Sequence, residues 1–154
     1  MKPAVWLADG LGLGRIPWAP GTFGTLLGIP LYFLLAAFLP WPAYLALVLV
    51  TLPVSAWICG VGARHHGVPD PSMVVWDEVV GMLVALTAAP PGWLPVAVAF
   101  IAFRAFDILK PFPVGWLDAR VPGGWGVLLD DVVAGVYALA VVQFLFHFRP
   151  GWAG

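Results

Sequence analysis

The stretch GVLLDDVVAGVYALAVVQFLF, residues 126–146, decides the fold class, because two adjacent carboxylates stand at the start of a long apolar run. About 20 apolar residues are enough for a helix to cross the hydrocarbon core of a bilayer. A carboxylate buried there without a partner is costly. The stretch therefore predicts a membrane helix over Leu129–Phe148, in which Asp130 and Asp131 need partners near one membrane surface.

The composition of the whole chain also indicates a membrane protein. Its 154 residues are 62% hydrophobic and 10% charged, and the mean hydropathy is +0.96. An average soluble domain is about half apolar and about a quarter charged. We expect one integral-membrane domain over residues 1–154. The net charge of −1 argues against a nucleic-acid partner, and a single cysteine, Cys59, excludes an internal disulfide or a cysteine-rich metal site.

Charges, prolines and glycines divide the chain into apolar segments. No charged residue occurs over residues 16–63, 79–103 or 132–148. Prolines at 40 and 42 interrupt the first block, and the sequence PPGW at 90–93 interrupts the second. We predict an all-α, polytopic membrane bundle of about five helices, with the third and fourth short and tilted, partly re-entrant or packed inside the others. The predicted helices are Thr22–Leu39, Ala43–Gly62, Trp76–Ala89, Leu94–Ile108 and Leu129–Phe148.

The distribution of basic residues predicts the orientation. Five crossings bring the N-terminus and the two charged loops to one side, which receives six of the seven Lys and Arg residues. The positive-inside rule makes that side cytoplasmic, whereas tryptophans favour the opposite interface. The cytoplasmic residues are Lys2, Arg15, Arg64, Arg104, Lys110 and Arg120; those on the far side are Arg149 and the three tryptophans Trp41, Trp93 and Trp152.

The segment PGTFGT, residues 20–25, leads into the first helix and could bind an anion. Its two glycines allow close backbone approach, and we expect Thr22 or Thr25 to cap the helix. Free N–H groups at a helix start attract a phosphate. An ordinary capped loop is the alternative, because the lysine of a Walker P-loop is missing.

The segment DPSMVVWDEVVG, residues 70–81, places Asp77 and Glu78 in the first turn of the third helix. Carboxylates there complement the helix dipole, and this alone could explain them. Glu78 and Gly81 share a helix face, which leaves room for a close neighbour or a ligand.

The segment FRAFDILKPFP, residues 103–113, spaces Arg104, Asp107 and Lys110 three residues apart on about one helix face. In a functional site the two cations would bind a phosphate and the carboxylate a metal ion. A self-neutralising cluster at the membrane interface is the alternative.

The paired carboxylates at 130 and 131 complete the set of acidic segments on one membrane face. They point about 100° apart on a helix, and small residues at 134 and 135 permit tight helix packing. A solvated interfacial pair is the alternative. Carboxylate oxygens from several helix ends suit Mg²⁺, which can polarise a phosphate and activate water.

Metal binding or nucleophilic catalysis by histidine or cysteine fits this sequence poorly. His65 and His66 cannot share a helix face and His147 lies on the far side, so no zinc pattern exists, and we expect these residues to be interfacial. A cysteine-phosphatase loop needs five residues between Cys and Arg, but four separate Cys59 from Arg64.

The motifs PWAPGTFGT, DPSMVVWDEVVG and FRAFDILKPFPVGWLDARVPGGWGVLLDDVVAG resemble, in this order, those of the bacterial phosphatidylglycerophosphatase A family. The resemblance implies an all-helical, Mg²⁺-dependent enzyme of the bacterial inner membrane, with its site facing the cytoplasm. Its phospholipid substrate would be phosphatidylglycerophosphate, hydrolysed to phosphatidylglycerol and phosphate. We expect a catalytic Mg²⁺ site formed by Asp77, Glu78, Asp107, Asp130 and Asp131, and a phosphate site formed by Thr22, Thr25, Arg104 and Lys110.

Two alternatives remain open at the level of sequence. One is a phosphatase of another membrane lipid phosphate, such as a polyprenyl phosphate. The other is a channel or transporter subunit whose carboxylates bind a cation. A channel needs charged groups near the middle of the membrane, whereas these charges gather at one interface, which favours the enzyme.

Overall fold

The computed structural model describes residues 2–147. The predictions made for Phe148, Arg149 and Trp152 lie outside these residues. Within them, all regular secondary structure is helical, which confirms the all-α fold class. The elements are α1 (Pro3–Ala8), a 3₁₀ helix (Gly10–Arg15), α2 (Pro20–Phe38), α3 (Trp41–His66), α4 (Trp76–Ala85), α5 (Trp93–Leu109), α6 (Val114–Arg120) and α7 (Gly123–His147).

The five predicted apolar helices correspond to α2, α3, α4, α5 and α7, but several of their ends differ. α3 continues through His66 because Gly67 adopts the left-handed conformation (φ 76°) of a helix C-cap. α4 stops at Ala85, before the chain reverses through Ala88 at φ 54°. α7 begins at Gly123, well before the predicted start, so its two aspartates lie inside the helix.

Three short elements were not predicted: α1, the 3₁₀ helix and α6. The two helices have six and seven residues, too few to show a helical period in the sequence. Leu11 and Gly12 interrupt the 3₁₀ helix with positive φ angles. These elements cover the end of the bundle that carries the charges.

Three helices, α2, α3 and α7, are long and apolar enough to cross a membrane. They indicate a membrane protein. At 1.5 Å per residue the ten residues of α4 extend roughly 15 Å, about half a bilayer core. Eight of those ten residues are buried, which confirms that the third apolar helix packs inside the others.

α7 lies at the centre and packs against α3, α4, α5 and α6. Its Ala134, Ala138 and Val142 pack in one core cluster with Met82 of α4 and Phe103 of α5. The predicted small residues allow α4 and α7 to touch. A Cβ on Gly81 would lie 2.8 Å from the Asp131 carbonyl oxygen, so any larger residue would force the helices apart.

α2 packs against α4 through glycines. A Cβ on Gly24 would lie 2.6 Å from the Val75 side chain, and one on Gly28 would lie 2.9 Å from Met82. As the chain reverses between successive long helices, the starts of α2, α4 and α7 meet the end of α5 at one end of the bundle. The four motif segments therefore converge, as predicted.

Candidate active site

Three carboxylates converge between α4 and α7. One ligand oxygen each from Asp77, Glu78 and Asp131 lies within 4.8 Å of the other two. The first two occupy the first turn of α4, and Asp131 faces them from the third turn of α7. The close contact at Gly81 brings the two backbones near enough for the three side chains to meet.

One oxygen of each carboxylate in this cluster lacks a partner. Asp77 Oδ1, Glu78 Oε2 and Asp131 Oδ2 are buried and accept no hydrogen bond from the described residues. Buried acceptors without partners are rare, and three together repel one another. A hard divalent cation with oxygen ligands, such as Mg²⁺, fits this donor set, since it would satisfy the oxygens and neutralise their charge.

A guanidinium lies beside the cluster. Arg104 Nη1 donates a hydrogen bond to Asp107 Oδ2, and these side chains are 19% and 12% exposed. Asp107 also interacts electrostatically with Glu78 and Asp131. Arg104 therefore places a cation at the edge of the acidic cluster.

Gly21 packs closely against this pair. A Cβ on Gly21 would lie 2.8 Å from Glu78 Oε1 and 3.1 Å from Arg104 Nη1. The first turn of α2 therefore faces both a carboxylate and a guanidinium. The positive end of the α2 dipole therefore lies near the Arg104 guanidinium, and both favour an anion nearby.

The predicted threonine caps are wrong. α2 begins at Pro20 with Ala19 as N-cap, and no side chain caps it. Proline suits the first helical position because its missing N–H needs no partner there. The Thr25 hydroxyl is buried and donates to the Gly21 carbonyl oxygen at 2.8 Å, whereas Thr22, in the first turn, is partly exposed.

Lys110 does not share a helix face with Arg104 and Asp107. It follows the last residue of α5 in a left-handed conformation (φ 49°), which turns its side chain away. Its Nζ lies 3.0 Å from Asp130 Oδ2 and 3.6 Å from Asp118 Oδ2. Burial alone lowers the pKa of Lys110, but the hydrogen bond to Asp130 and the nearby acidic charges raise it above its usual range.

Asp130 and Asp131 are not a solvated pair. They are 4% and 2% exposed. Because successive residues point about 100° apart on a helix, Asp130 meets Lys110 whereas Asp131 meets the α4 carboxylates. The other Asp130 oxygen accepts a hydrogen bond from the Asp131 backbone N–H at 2.9 Å.

Of the five predicted metal ligands, the structure brings three into one cluster. Asp107 lies at its edge, bound to Arg104, and Asp130 is held by Lys110. The catalytic, metal-binding and phosphate-binding roles of these residues stay predictions. The sequence motifs located the region, but the choice among neighbouring carboxylates depends on helix rotation.

His66 makes a contact that the sequence did not predict. Its Nε2 lies 2.8 Å from Asp9 Oδ1, and Asp9 is 1% exposed. Arg15 donates to the other oxygen of Asp9. The only signal in the sequence was an acidic residue beside a glycine-rich turn, DGLGLGR at 9–15, which carries no periodic pattern.

Comparison with known proteins identifies one family. The family model described as phosphatidylglycerophosphatase A matches residues 6–146. The chain is 41% identical over 145 residues to phosphatidylglycerophosphatase A of Escherichia coli, covering 94% of this chain and 84% of the relative. It is 38% identical over 143 residues to phosphatidylglycerophosphatase A of Haemophilus influenzae, covering 92% and 88%.

A third relative has a different name. A protein of Bacteroides thetaiotaomicron, provisionally named as a phosphatidylinositol-3-phosphatase, is 39% identical over 146 residues, covering 90% of each chain. No solved structure matches the chain.

Proposed function

The chain belongs to the phosphatidylglycerophosphatase A family, and we propose that it removes the terminal phosphate of phosphatidylglycerophosphate in a Mg²⁺-dependent reaction. It is thus a phosphatase, and this membership favours an enzyme over a channel or transporter subunit. The observation that carries the proposed mechanism is the convergence of three buried, unpartnered carboxylate oxygens beside Arg104.

Asp77, Glu78 and Asp131 would hold the cation, because one oxygen of each lies within 4.8 Å of the others and each has a buried oxygen without a partner. Bound there, Mg²⁺ supplies positive charge that draws electrons from the phosphorus and makes it easier to attack. Both α4 ligands lie in a first turn that is packed against α2 and α7. Their geometry is therefore fixed by backbone contacts rather than by flexible loops.

Arg104 would bind the phosphate. Its guanidinium forms two parallel hydrogen bonds with phosphate oxygens more readily than an ammonium does. Gly21, in the first turn of α2, lies against this guanidinium, and the positive end of the α2 dipole adds to its potential. Lys110 would contribute a second cation at longer range, because it is engaged with Asp130.

Asp107 is our choice for the general base. One of its oxygens accepts from Arg104 and its side chain also interacts with Asp131, so a water molecule held by Asp107 would lie between the cation site and the phosphate site. The water oxygen attacks phosphorus and gives its proton to Asp107, while the bond between phosphorus and the glycerol oxygen breaks. That oxygen takes up the proton that Asp107 received, directly or through solvent, so Asp107 is regenerated and the products are phosphatidylglycerol and inorganic phosphate.

The charge distribution supports a cytoplasmic site. All described Lys and Arg residues lie in the segments at the site end of the bundle, and the turns at the other end, residues 39–40 and 86–92, carry none. The positive-inside rule then orients the site end toward the cytoplasm of a bacterial inner membrane.

Phosphate release from lipid substrates tests the activity and its metal requirement. Purified protein in detergent micelles is given phosphatidylglycerophosphate, phosphatidic acid, a phosphatidylinositol 3-phosphate or a polyprenyl phosphate, with Mg²⁺ or with EDTA. We expect fastest release from phosphatidylglycerophosphate and none with EDTA. Faster phosphate release from another lipid would identify that lipid as the preferred substrate instead. Equal release with EDTA would overturn the Mg²⁺ mechanism.

Cysteine labelling in intact cells tests the orientation. Cys59→Ser supplies a background without thiols, and Ser72→Cys or Pro91→Cys adds one exposed thiol at either end of the bundle. An impermeant maleimide should label only the Pro91→Cys protein. Labelling of Ser72→Cys alone would reverse the proposed orientation.

A further inference from the structure

The N-terminal segment, residues 3–15, carries a buried acid outside the active-site cluster. Asp9 Oδ2 accepts hydrogen bonds from Arg15 Nε and Nη2, both at 3.1 Å. Asp9 Oδ1 accepts from His66 Nε2 at 2.8 Å. Charge-assisted bonds to a carboxylate in a low-dielectric site are among the stronger hydrogen bonds in proteins. Asp9 therefore fixes the N-terminal segment to the end of α3.

The backbone around Asp9 holds the chain that precedes α4. The Ala8 carbonyl oxygen accepts a hydrogen bond from the Val75 N–H at 2.8 Å. The Asp9 carbonyl oxygen accepts one from the Gly14 N–H at 2.9 Å, and Gly14 packs so closely on the Met73 carbonyl that no Cβ would fit. Residues 73–75 therefore pack against the turn at residues 9–14, in which the Asp9 carbonyl oxygen is bonded to the Gly14 N–H.

Val75 is the N-cap of α4, and no side chain caps this helix. Its position therefore depends on its backbone bond to Ala8 and on its packing against Gly24 of α2. Two residues later the first turn presents Asp77 and Glu78. A shift of Val75 would move both carboxylates relative to the carboxylate on α7.

The two ends of α4 are held differently. At its far end the Tyr44 hydroxyl donates to the Leu83 carbonyl oxygen at 2.6 Å, within a buried apolar cluster. At its start, besides Val75, the Trp76 indole N–H donates to the Ser55 hydroxyl at 3.1 Å. Loosening the Asp9 network would therefore release the first turn while the end of α4 stays anchored.

We propose that Asp9 is a positioning residue for the cation site: through Ala8 and Val75 it holds Asp77 and Glu78 where they converge with Asp131. This proposal rests on the proposed function, since it takes the cluster to bind Mg²⁺. Three carboxylates repel one another until a cation arrives, so a rigid frame must keep them together beforehand. The Asp9 network is that frame on the side where α4 begins.

The test compares Asp9→Asn with the unmodified protein in detergent. Two quantities are measured: the Mg²⁺ concentration for half-maximal phosphate release, and the Mg²⁺ concentration that gives half of the cation-induced rise in the unfolding temperature. We expect both to increase about tenfold, the lower end of the range for outer partners of metal ligands. At saturating Mg²⁺ the kcat should stay within a few fold of the original.

Tyr44→Phe is the matched control, because it removes one buried hydrogen bond from the other end of α4. It should lower the unfolding temperature without changing either Mg²⁺ concentration. A change in Mg²⁺ requirement as large as that of Asp9→Asn would mean that general loosening of α4 explains both, and would overturn the positioning role.

The remaining outcomes separate the two proposals. If the unmodified protein shows no Mg²⁺-dependent activity or stabilisation, the cation site and this inference both fail. If it responds to Mg²⁺ and Asp9→Asn responds at the same concentrations, only this inference fails. If Asp9→Asn does not fold, Arg15→Gln is used instead, because it weakens the same network from a side chain that is 45% exposed. It should also raise both Mg²⁺ concentrations, and unchanged concentrations would overturn the inference.

Discussion

Two acidic sites are buried at the same end of this bundle, and they differ in how completely their oxygens are bonded. Asp9 has both oxygens engaged by Arg15 and His66. The cluster of Asp77, Glu78 and Asp131 keeps an unpartnered buried oxygen on each side chain. A buried carboxylate is costly unless it is bonded, so the completed site stabilises the fold and the incomplete one is suited to a ligand.

Asp130 is bonded as completely as Asp9. Asp130 is buried and bonded to both Lys110 and a backbone N–H, although it is adjacent in sequence to a member of the incomplete cluster. Adjacent aspartates in one helix therefore have different environments. The difference shows that hydrogen-bond completeness, rather than burial or position in a motif, separates the structural carboxylates from the candidate ligands.

The largest expected effect comes from neutralising one acid in each site. Asp131→Asn should lower kcat about 10³-fold, the scale of losing a charge stabiliser. In EDTA it should raise the unfolding temperature by about 3 °C, because repulsion in the cluster decreases. Phosphate-release assays and thermal unfolding of the same preparations measure both quantities.

Asp9→Asn is the counterpart and should lower the unfolding free energy by about 2 kcal/mol, since hydrogen bonds to a charged group are lost. The comparison holds if the two variants change stability in opposite directions in EDTA. Equal destabilisation would show that the cluster is a structural site like Asp9.

Arg104→Lys should have the next largest effect. The charge is kept but the forked geometry is lost, so KM for the lipid should rise about tenfold with a smaller decrease in kcat. Steady-state kinetics in mixed micelles measures both constants, and Arg120→Lys, an exposed cation on α6, serves as the control. Unchanged constants would make Arg104 a structural partner of Asp107 only.

Gly21→Ala should have a moderate effect. The added methyl would press on Glu78 Oε1 and Arg104 Nη1 and displace the guanidinium proposed to bind the phosphate. We expect KM to rise by roughly threefold to tenfold, from a loss of about 1 kcal/mol of binding. Thr22→Ala, one residue further along α2, should change KM much less, and a reversed order would move the phosphate site toward Thr22.

The smallest effect is expected from pH at Lys110. Its pKa is raised in the folded protein, so the ammonium stabilises the fold at and below neutral pH and this contribution is lost only as the pH rises through the raised folded value. The unfolding free energy of the unmodified protein should therefore lose no contribution from Lys110 between about pH 7 and 9. A decrease in the unfolding free energy of the unmodified protein over this pH range, absent from Lys110→Gln, would contradict the raised pKa of Lys110.

The region of the site was predictable because the cost of burying charge in a membrane restricts where charged residues occur along the sequence. A charged side chain cannot lie unpaired in hydrocarbon, so the charged segments mark the ends of the apolar helices. This located the region around Asp77, Asp107 and Asp131 and the approximate helices. It did not locate the N-terminal helix at Pro3–Ala8, which is too short for a periodic signal.

The sequence by itself determined the membrane class, the helical architecture, the end of the bundle where the charges gather and the family resemblance, because these follow from composition, spacing and order along the chain. The tertiary structure alone decided which carboxylates remain without partners. Rotation of α7 turns Asp130 toward Lys110 and Asp131 toward α4, and the turn after α5 removes Lys110 from the face of Arg104. These choices depend on contacts between residues far apart in sequence, and no local pattern encodes such contacts.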